Sequence, residues 1–376
     1  MAHFRLVAIP GDGVGPEVVE AAAGVLDAAV AAAGGRIEWQ EIIVGGRAID
    51  AYGVAIQPED VETCRSADAV LLGAVGGPKW DDPKAPVRPE QALFALRGGL
   101  GLFANLRPVS VHPALMDSSP LRPALLRDVD LLMVRELTGG IYFGERTEAG
   151  DGAENRAASD SLPYSEAEVR RIVRLAFELA TARRRKVTQV DKANVLATSR
   201  LWRQVTDEVA RAFPDVSLEH RLVDSTAMLL VTRPAAFDVI VTENLFGDIL
   251  SDEASVLAGS LGMLPSASLG ERQTTHGTFG LYEPIHGSAP DIGGQDVANP
   301  IGTILSCAML LRWSLGLAEA ADAVERAVAA ALDDGFRTRD LMPEHASLAA
   351  HLIPVGTRGM AAAIGERLTA PAAVGR

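Results

Sequence analysis

The sequence predicts an α/β protein on three observations: apolar runs of strand length alternate with helical patterns, 48% of the residues are apolar, and the chain has 376 residues. That length exceeds one ordinary core and favours two domains or one large α/β unit. The first strand covers residues 5–9 and is followed by a helix over 16–33, with Pro16 suited to a first turn and Gly34-Gly35 to an end. A strand at 37–44, a helix after Pro58 and a strand at 69–72 continue the alternation. Further strands are expected at 130–134, 186–190, 216–223 and 237–242, with a short one at 141–143. Ser165-Glu-Ala-Glu168 is a capping box that opens a long amphipathic helix ending in Arg183-Arg-Arg-Lys186. That basic run reads as a solvated face favoured by the helix dipole. Residues 140–163 turn polar, as an exposed loop or an arm that pairs with another subunit, and residues 262–280, rich in Gly, Ser and Thr, read as a connection near a site.

A net charge of −14 argues against a general affinity for nucleic acid or anionic membrane, since both reward a basic surface. Cys64 and Cys307 each lie in an apolar helical pattern, so buried free thiols are expected, in keeping with a reducing cytoplasm. The start of the chain reads as a strand without the apolar core of a signal peptide, and no apolar run approaches the roughly 20 residues that span a bilayer.

Asp248 and Asp252 are spaced i, i+4 in Phe246-Gly-Asp-Ile-Leu-Ser-Asp252, which puts two carboxylates on one helical face. Like charges that close call for a cation. Asp224 ends an apolar run at a strand-to-helix break, and Lys192 stands alone in an apolar context. Carboxylate oxygens suit Mg²⁺ or Mn²⁺, and the lack of a Cys/His cluster argues against zinc. The competing reading is two solvated helix residues and a cap. Arg97, Arg107 and Arg135 each sit in a partly buried pattern, where a guanidinium needs a partner: a substrate carboxylate, or an internal one such as Glu136 or Asp130. Tyr142 and Lys192 can exchange protons if a cation or desolvation lowers their pKa, or can simply be packed side chains with wet tips. The turn Pro10-Gly-Asp-Gly-Val-Gly15-Pro16 lacks the third glycine of a Rossmann fingerprint and is suited to close backbone approach.

Several long segments resemble the isocitrate/isopropylmalate dehydrogenase family of β-hydroxyacid oxidative decarboxylases. They include Pro10-Gly-Asp-Gly-Val-Gly-Pro-Glu17, Asn105-Leu-Arg-Pro108, Val134-Arg-Glu-Leu-Thr-Gly-Gly-Ile-Tyr142, Val190-Asp-Lys-Ala-Asn-Val-Leu196, Asn244-Leu-Phe-Gly-Asp-Ile-Leu-Ser-Asp252 and Glu283-Pro-Ile-His-Gly-Ser-Ala-Pro-Asp-Ile292. The resemblance covers nearly the whole chain and implies a two-domain α/β fold with a mixed sheet, not a Rossmann fold. Residues 1–102 with 259–376 would form a cofactor-binding domain, and 103–258 a second domain with the dimer interface, metal and catalytic residues. It also implies that Arg97, Arg107 and Arg135 hold malate carboxylates, and that Asp248 and Asp252 bind Mg²⁺ or Mn²⁺ with Asp224 of the other subunit, which lends Lys192. Lys192 would remove the hydroxyl proton and Tyr142 would protonate the enol. Asp224 would also touch substrate.

By the same resemblance, Glu283, His286, Gly287, Ser288, Ala289, Pro290, Asp291, Ile292 and Asn299 would bind the cofactor, with the Asp291 carboxylate favouring NAD over NADP. Glu90 and Leu93, with Val195 from a neighbouring subunit, would contact the substrate. An apolar wall there suits an isopropyl group and penalises a third carboxylate. The implied reaction is oxidative decarboxylation of (2R,3S)-3-isopropylmalate to 2-oxo-4-methylpentanoate in leucine biosynthesis. Tartrate, D-malate, homoisocitrate or an extended isopropylmalate is the alternative, because Phe94 leaves the pocket size open.

Overall fold

The computed structural model describes residues 2–82, 85–149, 156–343, 349 and 351–369. Two compact units emerge: Met1–Leu102 with Val111–Pro123 and Val256–Arg376, and Phe103–Ser110 with Ala124–Ser255. The first unit therefore takes residues 111–123, which the resemblance assigned to the second domain. The segment is tied there by polar contacts, with Arg337 donating to the Ala114 carbonyl and Ser118 to the Leu341 carbonyl.

In the first unit the strands run in the order Gly35–Glu41, Ala2–Gly11, Ala69–Ala74, Thr278–Pro284, Pro265–Gln273. The first four are parallel, and the last is antiparallel to its neighbour, so the sheet is mixed. Every residue of Ala69–Ala74 is buried, as befits a parallel strand covered on both faces. Val7, Ile9, Val70, Leu72 and Leu281 share a core with Cys64, Ala92 and Leu96 of the helices Pro58–Ser66 and Glu90–Gly99. Both cysteines are buried and free. The stretch 262–280, expected as a connection, instead supplies both strands of the antiparallel pair. Its small residues pack as tightly in a central strand as they would bend in a loop, and the turn is closed by Thr274 N–H donating to the Gly277 carbonyl.

In the second unit the order is Leu102–Ser110, Asp130–Glu136, Val239–Thr242, Lys186–Asp191, Ser217–Leu222, with the first strand antiparallel and the rest parallel. The capping box is present: the Ser165 side chain accepts from the Glu168 N–H, while Glu168 reaches back to the Ser165 N–H, opening the helix Glu166–Thr181. Two expectations are corrected. Residues 141–143 are no strand, because Gly140 at φ 76° breaks extended backbone and starts the short 3₁₀ turn Gly140–Tyr142. The basic run is a solvated face only in part: Arg184 and Arg185 are exposed, whereas Arg183 pairs with the buried Asp238 and with Asp130, and Lys186 reaches the Ala236 carbonyl. Within the polar stretch 140–163, Arg146–Thr147 pairs with Ser159–Asp160, and residues 150–155 lie outside the described residues. No helix among the described residues is long and apolar enough to cross a membrane.

Candidate functional site

The helix Asn244–Ser255 starts where Val239–Thr242 ends, and the buried Glu243 carboxylate caps it by accepting the N–H groups of Leu245 and Phe246. Its i, i+4 pair Asp248 and Asp252 face the strands Leu102–Ser110 and Asp130–Glu136, which present Arg107 and Arg135. Arg135 Nη1 bonds Asp248 Oδ1, and Tyr142 Oη donates to Asp248 Oδ2 at 2.9 Å. Arg107 reaches Asp252 Oδ1 at 3.2 Å and lies 4.0 Å from Asp248. Asn105, two residues along the same strand face, accepts from Arg107 Nε at 2.7 Å, and the Ser251 hydroxyl lies 2.6 Å from Arg107 Nη1. Two guanidiniums, two carboxylates and a phenol thus converge in one unit. The internal partners weighed against a substrate are used elsewhere: Glu136 faces Arg171 at 3.6 Å and Asp130 pairs with Arg183.

Burial and the Asp248 carboxylate push the Tyr142 phenol up, to about 12. The chain's own environment therefore raises this pKa, against the lowering expected beside a cation, and holds the phenol in the protonated form that an acid requires. Lys192, on the turn after Lys186–Asp191, donates to Asp224 Oδ1 at 2.6 Å, so these two predicted residues meet each other. The Lys192 ammonium holds the Asp224 carboxyl below its ordinary range. Among the described residues no three His, Cys, Asp or Glu side chains of one chain gather as a metal cluster. The donor set still fits a hard cation: it is all oxygen, and the Asp248 and Asp252 side chains are 36% and 68% exposed, open to water and a ligand.

Val195 is exposed in the second unit, and the first unit holds the other expected site residues. Glu90, Leu93 and Arg97 share a face of the helix Glu90–Gly99 at i, i+3, i+7, and Arg97 Nη2 lies 3.4 Å from Glu283 Oε1. A cleft of about 600 Å³ is lined by His286, Gly287, Ala289, Asp291, Ile292 and Asn299 of the expected cofactor loop. Glu283, Ser288 and Pro290 do not line it; Ser288 is buried beneath it and its carbonyl accepts the Val14 N–H at 2.7 Å. The glycine-rich turn thus seats this loop. A Cβ on Gly13, at φ 58°, would lie 1.9 Å from the Ser288 carbonyl oxygen. His286 Nδ1 lies 2.9 Å from the Gly287 carbonyl, so this nitrogen carries the proton. Nε2 is an acceptor, shielded from solvent and without a hydrogen-bond partner among the described residues. Burial lowers the His286 pKa and keeps the ring neutral. An orphaned acceptor beside an open carboxylate, Asp291, in a cleft this size fits a nucleotide with amino and hydroxyl donors.

Among the lining residues, Ser260, Leu261, Arg339 and Asp340 carry no signal in the sequence and arrive from distant segments, while Val14 lies in the glycine-rich turn and Gly262 in the stretch read as near a site. Asp340 accepts from Asn299 Nδ2 at 3.0 Å and from the Ser260 hydroxyl. Asn244 and Asn105 lie inside quoted motifs but had no assigned role; asparagine at a helix start is the one local cue to the first.

A family description, Isocitrate/isopropylmalate dehydrogenase, matches residues 5–361. The chain is 59% identical to a 3-isopropylmalate dehydrogenase of Anaeromyxobacter dehalogenans over 90% of this chain and 95% of the relative. It is 53% identical to that of Nitratidesulfovibrio vulgaris over 97% and 100%. Among solved structures it resembles isocitrate dehydrogenase from Methylococcus capsulatus, with a TM-score of 0.83 at 35% identity, covering 97% of this chain and 99% of that one.

Proposed function

Because the chain belongs to the isocitrate/isopropylmalate dehydrogenase family, we propose that it oxidatively decarboxylates (2R,3S)-3-isopropylmalate to 2-oxo-4-methylpentanoate in leucine biosynthesis, with NAD as the hydride acceptor. The observation that carries this reading is the convergence of Arg107, Arg135 and Tyr142 on the Asp248–Asp252 helical face. The curated relatives named above share the isopropylmalate assignment, and the apolar Leu93 and Phe94 on the helix of Arg97 favour an alkyl substituent over a third carboxylate.

Asp248 and Asp252 would hold Mg²⁺ or Mn²⁺, with Asp224 of the partner subunit. When bound, the cation stabilises negative charge on the reacting oxygens and NAD⁺ accepts the hydride. Arg107 and Arg135 bind carboxylate oxygens through paired N–H groups; Arg97, Glu90, Leu93 and Val195 enter through the family resemblance. Lys192 Nζ, acting as the neutral amine after releasing its ammonium proton to water, takes the proton of the C2 hydroxyl, directly or through water, as the hydride leaves. Loss of CO₂ from the β-keto acid leaves an enol, and Tyr142 Oη delivers a proton to its carbon. His286 and Asp291 receive the adenosine end of the cofactor, where a carboxylate pairs with ribose hydroxyls and repels a 2′-phosphate. Supporting a homodimer, Met228 and Val231 on Val223–Thr232 and Ile249 on Asn244–Ser255 are exposed apolar side chains, 65%, 42% and 58% accessible. Two buried free thiols suit a reducing cytoplasm.

The test is NADH formation with 3-isopropylmalate, isocitrate, tartrate and D-malate in parallel, with and without Mg²⁺. The greatest kcat/KM belongs to 3-isopropylmalate, and activity disappears on chelation. Preference for isocitrate would defeat the apolar-wall argument; undiminished turnover in chelator would defeat the metal assignment.

A further inference from the structure

We propose that Asn244 is a positioning residue whose single amide fixes both the guanidinium of Arg135 and the turn that delivers Tyr142. The inference rests on the reading of Arg135 as a carboxylate binder and Tyr142 as the proton donor. Asn244 is 1% exposed and opens the helix that carries Asp248 and Asp252. Its Oδ1 accepts from Arg135 Nε at 3.0 Å and Nη2 at 2.8 Å, and its Nδ2 donates to the Gly139 carbonyl at 3.1 Å.

The orientation of that amide is dictated by its neighbours. A guanidinium can only donate and a peptide carbonyl can only accept, so Oδ1 must face Arg135 and Nδ2 must face Gly139. Aspartate at 244 would set an oxygen against the Gly139 carbonyl, and leucine would strip Arg135 of an acceptor. The other side of the turn is held by the fully buried Glu136, which accepts the Gly139 N–H at 2.7 Å and the Thr138 N–H at 2.9 Å. Tyr164 closes it from above: a Cβ on Gly139 would lie 2.6 Å from the Tyr164 ring, and one on Gly140 would lie 2.6 Å from its hydroxyl oxygen. The same hydroxyl accepts the Asn244 backbone N–H at 3.0 Å. Three residues after Gly139, Tyr142 meets Asp248. Asn244 Nδ2 is thus the contact on the carbonyl side of a turn whose amide side is pinned by Glu136. Its Oδ1 sets the fork whose third nitrogen, Nη1, bonds Asp248.

The two ends of the amide separate experimentally. Asn244→Asp keeps an acceptor for Arg135 and loses the donor to Gly139, so KM for 3-isopropylmalate stays within about threefold while kcat falls about 100-fold. Asn244→Ala loses both ends and raises KM about tenfold as well. In a Tyr142→Phe background, Asn244→Asp changes kcat less than about threefold, because its effect passes through Tyr142. Independently of turnover, amide hydrogen exchange at residues 138–143 accelerates in Asn244→Asp while residues 245–255 keep their protection. Additive effects with Tyr142→Phe, or unchanged exchange at 138–143 in the folded variant, overturn the proposal. Should the variants fail to fold, NMR of the wild-type protein decides: the Asn244 side-chain NH₂ is protected from solvent exchange, and free exchange overturns the clamp. Absence of NADH formation by the wild-type protein would defeat the reaction assignment, and the exchange data would then judge the clamp separately.

Discussion

In the second unit side chains hold side chains: two arginines, two aspartates and a phenol are bonded to one another along one helix and two strands. In the first unit backbone holds backbone, with the Val14 N–H on the Ser288 carbonyl and Gly13 leaving no room for a Cβ beneath the loop 286–292. The difference teaches what each region can do. Compensated charges in close contact can bind, release and pass protons without leaving a bare ion buried. A loop seated by backbone contacts and glycine fits a large ligand by shape and a few polar atoms.

The largest effect comes from breaking the charge cluster. Asp248→Asn removes the carboxylate shared by Arg135 and Tyr142, and a ligand of the proposed cation, so kcat falls about 10³-fold or more at saturating Mg²⁺. A rise in KM with kcat intact would show the cluster to be a ground-state binder only. Asp291→Lys addresses the other region: the ratio of kcat/KM for NAD over NADP falls about 100-fold while kcat with saturating cofactor holds within about threefold. Unchanged cofactor selectivity in steady-state kinetics would remove Asp291 from the ribose. Two glycine variants sharpen the backbone side. Gly13→Ala forces the Ser288 carbonyl away at a left-handed φ and costs about 1–3 kcal/mol in denaturant unfolding, with a higher KM for NAD. Gly24→Ala, in the middle of the helix Gly15–Ala32 with open space around it, stabilises by about 0.5–1 kcal/mol. Equal shifts for the two variants would show that the seat imposes no constraint.

The charged half of the site is legible in the sequence because the chemistry resides in residue type and spacing: an i, i+4 acid pair and arginines ending apolar strands need no long-range knowledge. The strand alternation is legible for the same reason. Asn244 and Glu136 are not, because their roles depend on which groups face them across Gly139, and nothing local says that a buried carboxylate will cradle a turn. Asp340 and residues 260–262 reach the cleft from segments far apart in the chain. The strand Pro265–Gln273 stays hidden because Ser, Ala and Gly suit a loop and a tightly covered strand alike, whereas Thr278–Pro284 carries its strand cue in Phe279, Leu281 and Tyr282. Within the basic run only Arg183 misleads strongly, because its neutralising partner, the buried Asp238, lies fifty-odd residues away.

The smallest effect concerns His286, the titratable ring among the described residues that line the cleft, and its sign follows from the same contrast. Tyr142 sits among charges that balance one another, whereas His286 has its Nε2 buried without a partner among the described residues, and burial lowers its pKa from 6.5. The unfolded chain protonates this imidazole as pH drops below 6.5, and the folded chain resists, so the unfolded state binds more protons in that window and stability falls with falling pH. Above pH 6.5 the ring is neutral in both states and contributes no slope. His112, also lowered by burial, acts with the same sign, so the comparison must be made against His286→Gln and not against a pH-independent baseline. Denaturant midpoints measured from pH 7.5 to 5 should fall more steeply for the wild-type protein than for the variant. The difference in slope stays below about 1.4 kcal/mol per pH unit, the limit for one proton. Parallel curves would mean that the folded protein accommodates the imidazolium, and that the cleft is wetter at Nε2 than its geometry shows.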